Sequence, residues 1–247
     1  MNTYNENVLS IDDLDTPIYR IFSMKWFERL VTSNENGLVR PSAWDDPYEN
    51  FFLKCNAKTQ AGELVSLESL SKSWYGQCWT LNKDSDAMWR IYSPKSDGVR
   101  VETTPRKLIE SLWDDSDPQS SLKHFIGKVK YQSKDVIEQF LKTTSFSDLS
   151  FGGHPGNFAQ TLFTKRLEFK HEAEIRVLYH EIDNDSDYEV KKHHFDSDQI
   201  LSEIALDPRL IKTDYIKNRE SLISLGVKPE KIVQSDLYKI DVQTIRL

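Results

Sequence analysis

Glu172-Ala173-Glu174-Ile175-Arg176-Val177-Leu178-Tyr179 is the stretch on which the architecture of this chain turns. Ile175 to Tyr179 is rich in β-branched and aromatic residues, as a strand set inside a sheet requires. Residues i and i+2 of a strand face one side. The spacing therefore predicts that Glu172 and Glu174 project together from the strand's entry. Such a pair can raise one carboxyl pKa by repulsion, or divide roles between a charge-stabilising anion and a positioning group.

Working outward, Thr161 to Phe169 reads as a helix, Gly152 to Asn157 as a mobile loop, and Asp183 to Asp187 as a turn. A further strand lies in Ile200 to Leu206, and a helix from Ile211 to Leu225 stops at Gly226. Lys231 to Gln234 and Tyr238 to Ile240 close the chain as strands. Toward the N-terminus, strands are predicted at Ile18 to Phe22, Gly37 to Pro41, Tyr75 to Leu81, Gly98 to Glu102 and Lys128 to Tyr131. Helical spacing marks Trp26 to Val31 (ended by Asn36-Gly37), Asp86 to Tyr92, Thr104 to Leu112 and Val136 to Leu141. Leu64, Leu67 and Leu70 read as one face of a helix or loop. Strands and helices intersperse without a strict βαβα rhythm, which points to an α+β class.

At 247 residues the chain is long enough for one sizeable core, and its 6 Trp, 10 Tyr and 12 Phe exclude a chain disordered as a whole. Residues 1–15 are acidic and polar and read as a flexible arm before a single domain over 16–247. The net charge of -7 argues against a non-specific nucleic-acid binder. Cys55 and Cys78 show no metal spacing and read as reduced thiols. With no signal-like start and no run long enough to span a bilayer, cytoplasm is expected and a membrane partner is not. No phosphate loop or dinucleotide fingerprint appears. The histidines form no zinc motif, so no metal is assigned.

Four places could carry chemistry. Glu172 and Glu174 are the first, with an exposed strand end paired by Arg176 as the structural alternative. Tyr19-Arg20 is the second, since a guanidinium on a strand can grip a pyrophosphate or carboxylate. The alternative there is a salt bridge with Asp46 or Glu49. The third is the turn Trp44-Asp45-Asp46-Pro47-Tyr48-Glu49, whose Asp46 and Glu49 could hold a ligand hydroxyl or merely cap the turn. The fourth is Met88-Trp89-Arg90-Ile91-Tyr92, where Trp89 and Tyr92 could stack on a ring or simply fill a core. A metal-dependent hydrolase built from Asp46, Glu49 and Glu174 lacks ligand spacing.

Taken in order, these pieces resemble a bacterial family known as domain of unknown function 2971. The resemblance rests on Tyr19-Arg20, the Trp44 to Glu49 turn, Cys78-Trp79-Thr80, Met88-Trp89-Arg90-Ile91-Tyr92, Gly98-Val99 and His171-Glu172-Ala173-Glu174-Ile175-Arg176. Asp207-Pro208 and Ser235-Asp236-Leu237-Tyr238 extend it over nearly the whole chain. Asp45 departs from the usual Asn, Trp79-Thr80 from Phe-Ser, and His171 from Tyr.

The layout is also similar to ADP-ribosyltransferases of the Arg–Ser–Glu type. That similarity implies mixed, mostly antiparallel sheets with flanking helices, and NAD as substrate. It casts Arg20 on the pyrophosphate, Thr80 at the nicotinamide ribose, Glu174 on the developing oxocarbenium charge and Glu172 at the acceptor. It gives Tyr19, Trp89, Tyr92, Asp46 and Glu49 supporting places around the cofactor. The acceptor would be a nucleic acid or a protein. Enzymes of this kind resemble toxins or phage-defence effectors, which implies an antitoxin partner. The rival reading is a non-catalytic partner- or nucleotide-binding module of a defence system.

Overall fold

The computed structural model describes residues 4–44, 46, 49, 51–58, 63–67, 72–143, 156–182 and 188–239. Its first strands are β1 (Val8–Leu9), β2 (Ile18–Ser23), β3 (Glu35–Val39), β4 (Asn56–Lys58), β5 (Leu64–Ser66), β6 (Trp74–Thr80) and β7 (Gly98–Thr103). They are followed by β8 (His124–Lys128), β9 (Lys130–Gln132), β10 (Thr164–Arg166), β11 (Glu174–His180), β12 (Val190–His194), β13 (Glu203–Leu206) and β14 (Ile232–Gln234). The longer helices are α1 (Met24–Ser33), α2 (Asp86–Tyr92), α3 (Pro105–Leu112), α4 (Lys134–Thr143), α5 (Gly156–Leu162) and α6 (Lys212–Ser224). Pairing is mostly antiparallel, with parallel pairs at β1–β8, β9–β10 and β13–β14. The expected class, α+β with mixed, mostly antiparallel sheets and flanking helices, is the one the chain forms. No helix among the described residues is long and apolar enough to cross a membrane.

The chain divides into two compact units. Unit 1 takes in residues 1–18, 36–81 and 104–194, and unit 2 residues 19–35, 82–103 and 195–247. In unit 1 the strands run β1-β8-β11-β6, and β3 pairs with both β6 and β12. Glu174 lies opposite Thr80, Arg176 opposite Cys78 and Leu178 opposite Gly76. Phe51, Trp74, Phe125, Ile137, Phe158, Leu162, Phe163 and Leu178 form its core. Trp74 stacks on Phe158 and on His180, with ring centroids 5.5 and 4.5 Å apart. Each such aromatic contributes roughly 1.5–3 kcal/mol on burial. The polar opening of the chain is tied to this unit. Asn7 is fully buried and donates through Nδ2 to the carbonyls of Ser121 and His124.

In unit 2 the order is β2-β7-β13-β14. Ser85 caps α2 by accepting from the Met88 N–H. Met88 and Trp89 thereby reach the core beside Ile21. Buried Arg100 on β7 is held by Asp84 and by Glu203 of β13, with its guanidinium 5.3 Å from the Tyr19 ring.

Several elements differ from expectation. α1 ends one turn early because Asn34 takes the left-handed conformation (φ 51°), which frees Asn36-Gly37 to enter β3. The Leu64 region is a strand, since β5 finds a partner in β4, while Leu70 lies outside the described residues. Thr161 to Phe169 is not one helix. α5 stops at Leu162, β10 follows against β9, and Leu167–Glu172 is a 3-10 turn. β8 is a core strand that precedes the expected one. The strand in Ile200 to Leu206 is confined to β13, and Tyr238-Lys239 is a turn. Residues 152–155, 183–187 and 240 lie outside the described residues.

Candidate functional site: a buried carboxylate cluster

Glu172 and Glu174 do come together, though not by strand alternation. Glu172 ends the 3-10 turn, Ala173 adopts φ 45° and ψ 55°, and β11 begins at Glu174. A left-handed alanine is disfavoured by roughly 1–2 kcal/mol. Three bonds hold it in place. The Ala173 carbonyl accepts from the Leu81 N–H (3.0 Å), the Glu172 carbonyl from the Thr80 hydroxyl (2.5 Å), and the Tyr131 hydroxyl from the Glu174 N–H (2.9 Å). Backbone strain that surrounding contacts maintain is a feature of working sites.

The side chains then converge on two cations. Lys165 Nζ lies 2.5 Å from Glu49 Oε1, 2.5 Å from Glu172 Oε2 and 3.3 Å from Glu174 Oε2. Arg176 donates through Nε to Glu174 Oε1 at 2.5 Å and through Nη2 to Oε2 at 3.0 Å. Its Nη1 donates to the Leu162 carbonyl, and its Nη2 stands 3.4 Å from Glu49 Oε1. The Trp44 ring covers the guanidinium at 4.4 Å. Gly76 makes room for that ring, since a Cβ there would lie 2.7 Å from it.

Relative exposure is 0% for Arg176, 3% for Glu174, 5% for Glu49 and 8% for Glu172. Three carboxylates and two cations leave one formal negative charge inside. Burial pushes the Glu49 carboxyl up, against the pull of Arg176 and Lys165, which favours its protonated form. Burial would also raise Glu174, but Arg176 and Lys165 outweigh it and hold that carboxyl below the usual range. Lys165 is raised despite its burial because Glu174 and Glu49 face it. Burial pushes the Cys78 thiol well up, with Glu174 beside it adding to the shift.

The remaining sequence-predicted residues fall elsewhere. Asp46 is taken by Arg166, whose Nη2 donates to Oδ1 at 2.9 Å and whose Nε donates to Oδ2 at 3.2 Å. The Asp46 backbone carbonyl accepts from the Glu49 N–H at 3.0 Å. Asp45, Pro47 and Tyr48 lie outside the described residues. Arg20 is in unit 2, half-buried on β2, 5.3 Å from the Phe22 ring. Tyr19 is buried beside Arg100, and burial and Glu102 push its hydroxyl up to about 12. Trp89 is 0% exposed, so it supports α2 from within and offers no face for stacking. Tyr92, on the same helix, is 43% exposed. Lys165 and Tyr131 are site residues that the sequence reading does not assign, while it has Arg176 only as an ion-pair partner at a strand end and Trp44 only as part of the turn. The basic pair Lys165-Arg166, just ahead of a segment rich in Glu, is the one local signal for them.

Comparison with known proteins adds two findings. A family model described as "Protein of unknown function (DUF2971)" matches residues 88–177, which run from α2 into β11. Among solved structures, Thermus sp. 2.9 DarT in complex with ADP-ribosylated ssDNA is similar at 10% identity and a TM-score of 0.41, over 93% of this chain and 98% of that one. The same protein in complex with NAD+ is similar at 10% identity and a TM-score of 0.40, over 92% and 98% of the two chains. No curated protein matches the chain.

Proposed function

We propose that this chain transfers ADP-ribose from NAD to a macromolecular acceptor, a nucleic acid or a protein. The observation that carries the reading is the register of β11 on β6, which sets Thr80 directly opposite Glu174 and bonds its hydroxyl to the Glu172 carbonyl. A hydroxyl strand beside a Glu-x-Glu strand is the arrangement that the Arg–Ser–Glu layout calls for. Arg176 and Lys165 keep Glu174 anionic, which suits a carboxylate that steadies oxocarbenium-like charge as nicotinamide leaves. Among the described contacts Glu172 has a single cation, Lys165, and it suits orienting or deprotonating the acceptor. In this reading Thr80 takes the nicotinamide ribose. The protein would act in the cytoplasm as a toxin or phage-defence effector, restrained by an antitoxin.

One observation favours a second reading. Both oxygens of Glu174 are engaged by buried cations, as in a purely structural keystone. On that reading the chain is a non-catalytic partner- or nucleotide-binding module.

The deciding experiment incubates the protein with labelled NAD and cell lysate, beside Glu172→Gln and Glu174→Gln, with a melting curve for each. Glu174→Gln breaks a buried pair, an effect of roughly 3–5 kcal/mol, so its loss of activity counts only if the variant is folded. Label on nucleic acid or protein from wild type, with Glu172→Gln still releasing nicotinamide but labelling the acceptor poorly, is the expected result. Absence of both label and nicotinamide release from folded wild type would favour the binding module.

A further inference from the structure

We propose that a cavity in unit 1, apart from the carboxylate cluster, binds a nucleoside phosphate. The cavity measures about 540 Å³ and is walled by β9, β10, α4, α5 and the end of β8. That volume falls within the roughly 300–1,000 Å³ of small-ligand sites.

Its lining has a marked chemical bias. Lys128 and Lys130 both contribute to it, both are exposed, and they flank the buried Val129. Among the described residues no Asp or Glu lines the cavity. Some lysines elsewhere are neutralised: Lys123, Lys165, Lys191 and Lys228 each have a carboxylate within 2.8 Å. In a chain of net charge -7, two cations facing a space with no acid among the described lining residues create a local positive potential, which selects an anion.

A bare anion would leave the rest of the lining idle. Half-buried Phe140 supplies aromatic surface, and the amides of Gln132 and Gln160 supply donors and acceptors. The Lys130 N–H donates to the Phe163 carbonyl at 2.8 Å, which ties the cationic rim to the chain just beyond α5. A flat heterocycle against phenylalanine, with a phosphate at the lysines, uses every one of these groups. Nucleoside phosphate is therefore the ligand class, and a free nucleotide and a nucleotide within a strand share that chemistry.

None of the groups assigned to ADP-ribosyl transfer lines this cavity, so the two readings fail separately. The test is calorimetric titration of the full chain with 5′-AMP, adenosine, inorganic phosphate and a short oligothymidylate. A Lys128→Ala, Lys130→Ala double variant is titrated in parallel, after its melting curve is shown to match wild type. AMP should bind about tenfold or more tightly than adenosine or phosphate alone, and the double variant should lose about that factor, equivalent to ~1.4 kcal/mol. Oligothymidylate that competes with AMP and weakens equally would assign the site to nucleotides within a strand. AMP binding without such competition would assign it to free nucleotide. The proposal is overturned if neither probe binds, or if the double variant binds AMP as wild type does; in the latter case the AMP belongs to another site.

Discussion

The ε-ammonium of Lys165 carries an uneven share of the cluster, because three carboxylates meet at it and two of them also contact Arg176. Without it, among the described contacts, Glu172 loses its one cation and Glu49 keeps only the 3.4 Å contact to Arg176. Removing one partner of a buried ion pair is strongly destabilising because the remaining charge has neither water nor a counter-ion. Lys165→Met should therefore lower stability by about 3–5 kcal/mol in urea titration. Adding Glu49→Gln and Glu172→Gln should restore a good part of the loss, because the orphaned charges go with it. A triple variant no more stable than Lys165→Met would show that the ammonium acts through packing instead. This site is only partly legible in the sequence. Glu172 and Glu174 are visible because they sit two residues apart, whereas Lys165 and Glu49 join them through tertiary contacts that no local spacing encodes. Trp89 misleads for the opposite reason, since an aromatic at helical spacing looks the same whether it faces a ligand or a core.

At the scale of the element, the turn Glu172-Ala173-Glu174 does what a regular strand could not. An extended Ala173 would keep Glu172 in line with β11, whereas φ 45° turns the 3-10 segment back toward β10 and Lys165. Alanine to glycine ordinarily destabilises folded backbone by roughly 0.5–1 kcal/mol, but at a left-handed position the relief of about 1–2 kcal/mol offsets it. Ala173→Gly should leave the melting temperature unchanged or higher, while Ala173→Val should lower stability by about 1–3 kcal/mol. A clear drop with glycine would mean that the methyl group is needed for packing. The same competition between local and tertiary forces explains the misread segments. Thr161 to Phe169 carries helix-like apolar spacing, yet β9 offers Thr164–Arg166 a ladder that a helix would forgo. β6, β7 and β11 are legible because their β-branched and aromatic content agrees with where the sheet puts them.

For the molecule as a whole, buried titrations set an acid limit whose sign can be worked out. His124 is 7% exposed, between Trp113 and Tyr179, and burial pushes its imidazole down from 6.5 to about 4. His193 is likewise lowered to about 4 by burial, with His124 and His194 adding to it. Between pH 6.5 and 4 the unfolded chain binds protons at these imidazoles that the native state refuses, so stability falls as pH falls. For His124 the difference corresponds to about 3 kcal/mol over the full interval. Glu174, whose carboxyl is lowered, adds to the loss below pH 4.5. Glu49 acts the other way, because its raised carboxyl makes the native state the better proton binder above 4.5. Its contribution therefore weakens the fold as pH rises through that window. The histidines should dominate the upper part of the acid range. Urea titrations at pH 7 and pH 5 should show wild type losing stability, and His124→Phe, which keeps the ring but cannot ionise, losing less by about one proton's worth of slope. A His124→Phe profile parallel to wild type would place the acid sensitivity in the carboxylates, in His193 and in His180, which burial also lowers.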